Sequence, residues 1–453
     1  MYIDNMDKYI EECGVVGLFS TDKVDLFPTL YNSLITMQHR GQESCGIAYS
    51  NTDNITCYKN MGLVNEVFSN NKFNKLEGYL GIGHVRYSTF GESNVVNAQP
   101  ILDKFSLGSI AIAHNGNITN ASILKKELKN FKFNTTSDSE VILKLIQKYY
   151  DTSMEKTLAS IVNKLEGGFS CVLLTNNELY AFRDLQGIRP LCIGKVNNAF
   201  VVCSESCVLD ILGGEFIRDI LPGEILKIDS NGVKSFKLSK YAKCNTCAFE
   251  YIYFSRIDSI IDGVSVYNSR FKAGETLYNE HPVDADIVIG VPDSGITAAL
   301  GYSKASSIPY TTGFVRNSFV GRSFIKPSQV KRNETVSLKL NIIKENIEGK
   351  RVVVVDDSML RGTTCKKIVS LLKDAGAKEI HYRLASPVVK SSCCLGINTS
   401  NTELLGSSMN LNEICKSVGV NSLGYISIDG FMNSLGNKKN ACLKCFLKYK
   451  KLS

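Results

Sequence analysis

VVVVDDSMLRGTT, residues 352–364, sets four consecutive valines against two adjacent carboxylates and a loop of small polar residues. An unbroken β-branched run is the pattern of a parallel strand covered on both faces, and KKIVSLLK (366–373) has the apolar spacing of a helix. The loop between them is therefore expected at the carboxyl end of a strand. There, backbone N–H groups from Ser358 to Thr364 and the next helix N-terminus can hold a phosphate. Asp356 and Asp357 can accept from sugar hydroxyls or face hydrated Mg²⁺. A strand ending in an ordinary polar turn is the competing reading.

The whole string resembles the signature of the type I phosphoribosyltransferases. The resemblance implies that Asp356 and Asp357 take the ribose hydroxyls, and that Ser358, Arg361, Gly362, Thr363 and Thr364 form the 5′-phosphate loop. Upstream, IVIGVPDSG (287–295) is another strand running into a small-residue turn, and it is similar to that family's pyrophosphate loop. On that likeness Asp293 binds substrate and Ser294 lies near Mg²⁺ and the diphosphate. Between the two strings, RNSFVGRSFIKPSQVKR (316–332) carries Arg316, Arg322, Lys326, Lys331 and Arg332 with no acidic residue. A solvated loop or a nucleic-acid contact would use such charge. A lid closing over pyrophosphate fits better, because it needs several cations and must exclude water from a reactive sugar centre.

The rest of the chain is consistent with a multidomain enzyme. Its 453 residues leave room for two or three domains, and 44% hydrophobic content supports packed cores. A net charge of +8 is modest and dispersed, the plainest clusters being the lid and LKYKK (447–451), so nucleic acid is not an expected partner. No apolar stretch approaches the roughly 20 residues of a membrane helix. The first twelve residues, with Asp4, Asp7, Glu11 and Glu12 against Lys8, do not read as an export signal. Fifteen cysteines without such a signal indicate reduced thiols, metal ligands and catalysis in the cytosol, not a disulfide framework.

EECGVVGLF (11–19) puts Cys13 at the head of a short apolar strand. Alone it would be a small buried residue. MQHRGQESCGIA (37–48), GHVRYSTFG (83–91), AHNGNITN (113–120) and TTSDSE (135–140) follow in order, and together they resemble the glutaminase domain of the class II amidotransferases, which are N-terminal nucleophile hydrolases. Removal of residues 1–12 as a propeptide would give Cys13 a free α-amino group, whose pKa near 8 suits proton shuttling beside its own thiol. The resemblance assigns Cys13 as nucleophile, Arg86 to the substrate carboxylate, Asp138 to its ammonium, and Asn115 with the Gly116 N–H to the oxyanion. His39, His84 and His114 read as packing or orienting residues.

Two Cys-x-x-Cys pairs, Cys244/Cys247 and Cys442/Cys445, would by spacing alone suit tetrahedral zinc. Their surroundings, CNTCAFEYIYFSR (244–256), ASPVVKSSCCLGI (385–397) and ACLKCF (441–446), resemble the iron–sulfur subgroup of the amidophosphoribosyltransferases. That resemblance implies a [4Fe–4S] cluster on Cys247, Cys393, Cys442 and Cys445, with Cys244 and Cys394 as spare neighbours. Departures from the family pattern are Arg316 in place of a lysine, Cys45 in place of a small residue, and a short carboxyl terminus.

The expected architecture is a propeptide (1–12), a four-layer αββα glutaminase (13–240), and an α/β phosphoribosyltransferase with a mainly parallel sheet and a cluster-binding tail (241–453). The family resemblance further implies glutamine and phosphoribosyl pyrophosphate as substrates, ammonia passed between two sites, purine nucleotides as feedback inhibitors, and a homotetramer. An isomerase-linked amidotransferase and a non-enzymatic nucleotide sensor are the alternatives. The first lacks a use for residues 352–364, and the second would carry a DNA-binding helix-turn-helix where this chain begins with a glutaminase.

Overall fold

Arg351–Asp356 forms the second strand of a four-stranded parallel sheet ordered Ile287–Gly290, Arg351–Asp356, Glu379–Leu384, Ser422–Tyr425. The computed structural model describes residues 13–69, 75–87, 92–106, 108–238, 243–317, 340–395, 404–436 and 440–447. All four valines are 0% exposed. Val353 and Val355 enter a core with Ala273, Leu277 and Tyr302, on helices Val266–Glu280 and Ile296–Ser306. Val352 and Val354 enter the opposite core with Ile368, Leu372 and Ile414, on helices Thr363–Asp374 and Leu411–Val418. The sheet is thus covered on both faces, as the unbroken valine run predicts. Each buried valine contributes about 2 kcal/mol, an upper bound because unfolded chains are partly collapsed. Helix Thr363–Asp374 begins before the expected Lys366, because Gly362, at φ +77°, turns the loop directly into the first helical turn.

The first half of the chain is antiparallel. A seven-stranded sheet runs Glu215–Asp219, Cys192–Val196, Ala199–Cys203, Gly14–Asp25, Glu77–Arg86, Ser44–Ser50, Ile55–Met61. A six-stranded sheet runs Gly232–Lys237, Glu224–Asp229, Leu179–Arg183, Gly167–Leu174, Gly108–Ile118, Ile101–Phe105. Val15, Ile82, Ala111, Ala113, Val172 and Leu226 fill the space between them. Helix Phe27–Thr36 covers the outside of the first sheet, and helices Ser139–Tyr149 and Met154–Lys164 cover the second. The αββα layering is therefore present.

The halves share a core. Ile188, from the antiparallel half, packs with Cys247, Phe249, Val353 and Phe446. Between them Glu250–Phe254 winds as a π-helix, an uncommon form that is frequent at functional sites.

Candidate active sites

The first sheet alternates inward and outward residues, so Val15 faces the second sheet, and Cys13 immediately precedes this strand, which begins at Gly14. Cys13 is 4% exposed and its thiol donates to the Tyr87 carbonyl at 3.4 Å. On the facing sheet Ala113 points into the same inter-sheet core, and Asn115 follows it on the same face. His84 Nε2 donates to the His114 carbonyl at 3.0 Å, pinning the residue before Asn115 to the strand that ends at Arg86.

Asn115 is fully buried, and neither atom of its carboxamide has a hydrogen-bond partner among the described residues. A buried amide normally costs about 1–3 kcal/mol when unmet, so this one is suited to an incoming polar group. Gly116 adopts φ +137°, and a Cβ there would lie 2.1 Å from the Gly168 carbonyl oxygen. Only glycine fits. Arg86 donates through Nη1 to Glu43 Oε1 at 2.7 Å, which fixes its guanidinium at the strand end. Asp138 sits at the entry to helix Ser139–Tyr149, its Oδ2 accepting the Ile118 N–H at 2.8 Å. Burial holds His84 down to about 3 and also lowers His114, so both are neutral. His39 contacts Glu205 at 2.8 Å. All three histidines are thus tied into the scaffold. Residues 1–12, and Ser88, Thr89, Phe90 and Gly91 of the GHVRYSTFG string, lie outside the described residues.

Sequence reasoning missed the charged network beneath Cys13. Arg40, 1% exposed, donates from Nε to the Cys13 carbonyl at 3.0 Å. Its Nη1 reaches Glu205 Oε1 at 2.6 Å, and Nη1 and Nη2 reach the Glu250 carboxylate at 3.0 and 2.8 Å. Burial opposes the Arg40 charge, yet Glu250 and Glu205 raise its pKa above the usual arginine value. Ser255 Oγ donates to Glu250 at 2.6 Å, and Arg270 holds the Tyr251 and Ser255 carbonyls at 2.7 and 2.8 Å. Burial pushes Arg270 down to about 10, against the opposing pull of Asp357, Glu205 and Glu250. The only linear signal was Arg40 inside MQHRGQESCGIA, since its carboxylate partners lie 165 and 210 residues away.

At the parallel sheet the two loops converge. Val291 N–H donates to the Val355 carbonyl at 2.9 Å. A Cβ on Gly295 would sit 2.5 Å from the Val355 oxygen and 3.1 Å from Asp356 Cα, so glycine permits this approach. The hydroxyls of Ser294 and Ser358 both donate to Asp357, the latter at 2.6 Å. Asp356 accepts the Asp357 N–H at 2.8 Å and the Tyr382 hydroxyl at 2.8 Å. Ser358 is buried, Arg361 and Thr364 are half-buried, Thr363 is exposed, and Gly362 closes the turn. Arg316 lies on strand Phe314–Arg316, paired with Leu340–Ile342, and forms an ion pair with the exposed Asp293. Arg322, Lys326, Lys331 and Arg332 of the expected lid lie outside the described residues.

The cysteines sort by position. Cys247 and Cys442 form a parallel bridge, and Lys390 and Ser391 N–H groups both donate to the Cys445 carbonyl. Cys247, Cys393, Cys442 and Cys445 join one core, whereas Cys244 contacts Thr246 at 3.3 Å and Cys394 is exposed. Burial, followed by the nearby Cys247, Cys393 and Cys442, pushes the Cys445 thiol up. Four soft donors from three segments suit an iron–sulfur core, although among the described residues no three His, Cys, Asp or Glu side chains form a preassembled metal cage. The cysteine loop also reaches the first half, where Gly168 N–H donates to the Leu395 carbonyl at 2.6 Å.

Residues 84–210 match the family described as glutamine amidotransferase domain, and residues 270–393 match the phosphoribosyl transferase domain. An amidophosphoribosyltransferase of Archaeoglobus fulgidus is 46% identical over 96% of each chain. That of Bacillus subtilis is 41% identical over 96% of this chain and 93% of its own. The B. subtilis glutamine phosphoribosylpyrophosphate amidotransferase structure complexed with ADP and GMP superposes with a TM-score of 0.90 at 40% identity, covering 96% of this chain and 97% of that one.

Proposed function

Because the chain belongs to the amidophosphoribosyltransferases, we propose that its two loop-built sites act in sequence, with ammonia passed from the first to the second. The enzyme makes 5-phosphoribosylamine, glutamate and pyrophosphate from glutamine and phosphoribosyl pyrophosphate, the first committed step of purine biosynthesis. We assign residues 13–240 to the glutaminase and 241–453 to the phosphoribosyltransferase.

In the first site the Cys13 thiolate attacks the carboxamide carbon of glutamine. Its α-amino group, freed by loss of residues 1–12, takes the thiol proton and returns it to the leaving nitrogen. The developing oxyanion is met by the Asn115 side chain and the Gly116 N–H, two aimed donors worth about 3 kcal/mol each. The unmet Asn115 amide supports this role. Arg86 takes the substrate carboxylate and Asp138 its ammonium. Water then hydrolyses the Cys13 thioester.

In the second site Ser358, Arg361, Gly362, Thr363 and Thr364 hold the 5′-phosphate, Asp356 and Asp357 the ribose hydroxyls, and Asp293, Arg316, Arg322 and Lys326 the pyrophosphate. Ammonia attacks C1 as pyrophosphate departs. Asp357 with the Ser294 and Ser358 hydroxyls offers hard oxygen donors that suit Mg²⁺, and Mg²⁺ bound there would neutralise charge on the leaving group. Cys247, Cys393, Cys442 and Cys445 would hold the [4Fe–4S] cluster, whose contribution would be structural, since these residues come from three distant segments that meet in the shared core.

The observation that carries the coupled reading is Arg40, whose guanidinium joins the Cys13 carbonyl of the first half to Glu250 of the second. Comparing glutamine with ammonia as nitrogen donor in Cys13→Ala tests it. The ADP and GMP in the B. subtilis complex support purine nucleotides as feedback ligands, testable by inhibition with GMP. A cytoplasmic homotetramer completes the reading, and light scattering tests its assembly.

A further inference from the structure

Tyr382 is an unexpected residue for its place in the sheet. It pairs in parallel register with Val354, is 0% exposed, and shares a core with Val352, Ile380 and Leu384. An aliphatic side chain would supply the same apolar burial without a hydroxyl that must be satisfied. That hydroxyl donates to Asp356 Oδ2 at 2.8 Å, while Asp356 Oδ1 accepts the Asp357 N–H, also at 2.8 Å. A donor at each oxygen fixes the plane of the carboxylate, because a single donor would leave it able to rotate. Asp357 is held differently, by the Ser294 and Ser358 hydroxyls of the two converging loops. The adjacent carboxylates are therefore oriented by separate devices, one rooted in the sheet and one in the loops.

We propose that Tyr382 is a positioning residue for sugar recognition, its phenol locking Asp356 in the orientation in which the carboxylate takes the ribose hydroxyls. The inference rests on the assignment of Asp356 to ribose made above. Tyr382 thus governs how well the sugar is gripped and leaves pyrophosphate binding to other residues, Asp293 and its ion-pair partner Arg316 among them.

The test uses the full-length enzyme and Tyr382→Phe, which removes the hydroxyl and keeps the ring. Calorimetric titration with ribose 5-phosphate should show affinity lowered about tenfold, the effect of one hydrogen bond to a charged group. Affinity for magnesium pyrophosphate should stay within about twofold, on the same reasoning. In the ammonia-dependent reaction KM for phosphoribosyl pyrophosphate rises while KM for ammonia does not. Asp356→Asn and the double variant complete a cycle, and the double should bind ribose 5-phosphate no more weakly than Asp356→Asn alone. A folded Tyr382→Phe with wild-type ribose 5-phosphate affinity overturns the proposal. Equal weakening toward both ligands, or additive losses in the cycle, also overturns it by showing that the ring supports the whole site. Failure of the wild-type enzyme to bind ribose 5-phosphate would instead remove the ribose assignment beneath it.

Discussion

Arg40 donates to the main-chain carbonyl of Cys13 at 3.0 Å while buried with Glu205 and Glu250. The nucleophile is therefore positioned through its backbone by a guanidinium whose other anchor lies in the opposite half of the chain. Arg40→Met should deprive the buried Glu205 and Glu250 of the cation they share, a loss of about 3–5 kcal/mol. Chemical unfolding should register that loss, together with impaired glutamine use. An unchanged midpoint would show that the network bears little of the fold's stability.

Cys13→Ala should abolish glutamine-dependent synthesis and preserve ammonia-dependent synthesis. Among the described residues the antiparallel half carries both the Cys13 thiol and the unmet Asn115 amide. Equal loss with both nitrogen donors, in folded protein, would contradict the division into two sites.

Gly116→Ala should remove glutaminase activity and spare phosphoribosyl transfer from ammonia. The added Cβ would meet the Gly168 oxygen at 2.1 Å in a left-handed backbone region, so the oxyanion strand must shift. Kinetics with each nitrogen donor report the split.

Stability should fall on acidification through His84. Burial depresses its folded pKa from 6.5 to about 3, so between those values the unfolded chain binds the extra proton. The stabilisation is complete above 6.5 and is lost as pH falls toward 3, reaching on the order of 4 kcal/mol. His84→Gln, which keeps a donor toward the His114 carbonyl, should flatten that limb of a stability-versus-pH curve.

Anaerobically purified protein should contain about four irons and four sulfides per chain, as a [4Fe–4S] cluster requires. Removing them should unfold the junction, because the cluster would close long loops. One zinc per chain in elemental analysis would replace the cluster with a zinc staple and leave the catalytic reading intact.

Local pattern carried much of this enzyme. The four valines gave away a doubly covered strand because a fully buried parallel strand has no polar face, and the small-residue turns marked both loops. The cysteine pairs were legible as ligand candidates, but spacing could not separate Cys247, which joins the shared core, from Cys244, which contacts Thr246. The buried charge network was illegible because Arg40, Glu205 and Glu250 meet only after both halves have folded. Tyr382 was hidden for a related reason: in sequence it is one more β-former, and its hydroxyl acquires meaning only from the neighbouring strand's Asp356.

The coupling of the two sites is tested most directly by isotope competition. The enzyme is given glutamine carrying heavy nitrogen in its amide, with phosphoribosyl pyrophosphate, Mg²⁺ and excess unlabelled ammonium, and the phosphoribosylamine is analysed by mass spectrometry. Direct transfer predicts product that keeps the glutamine label almost undiluted. Product whose nitrogen matches the bulk ammonia pool would contradict passage between the sites.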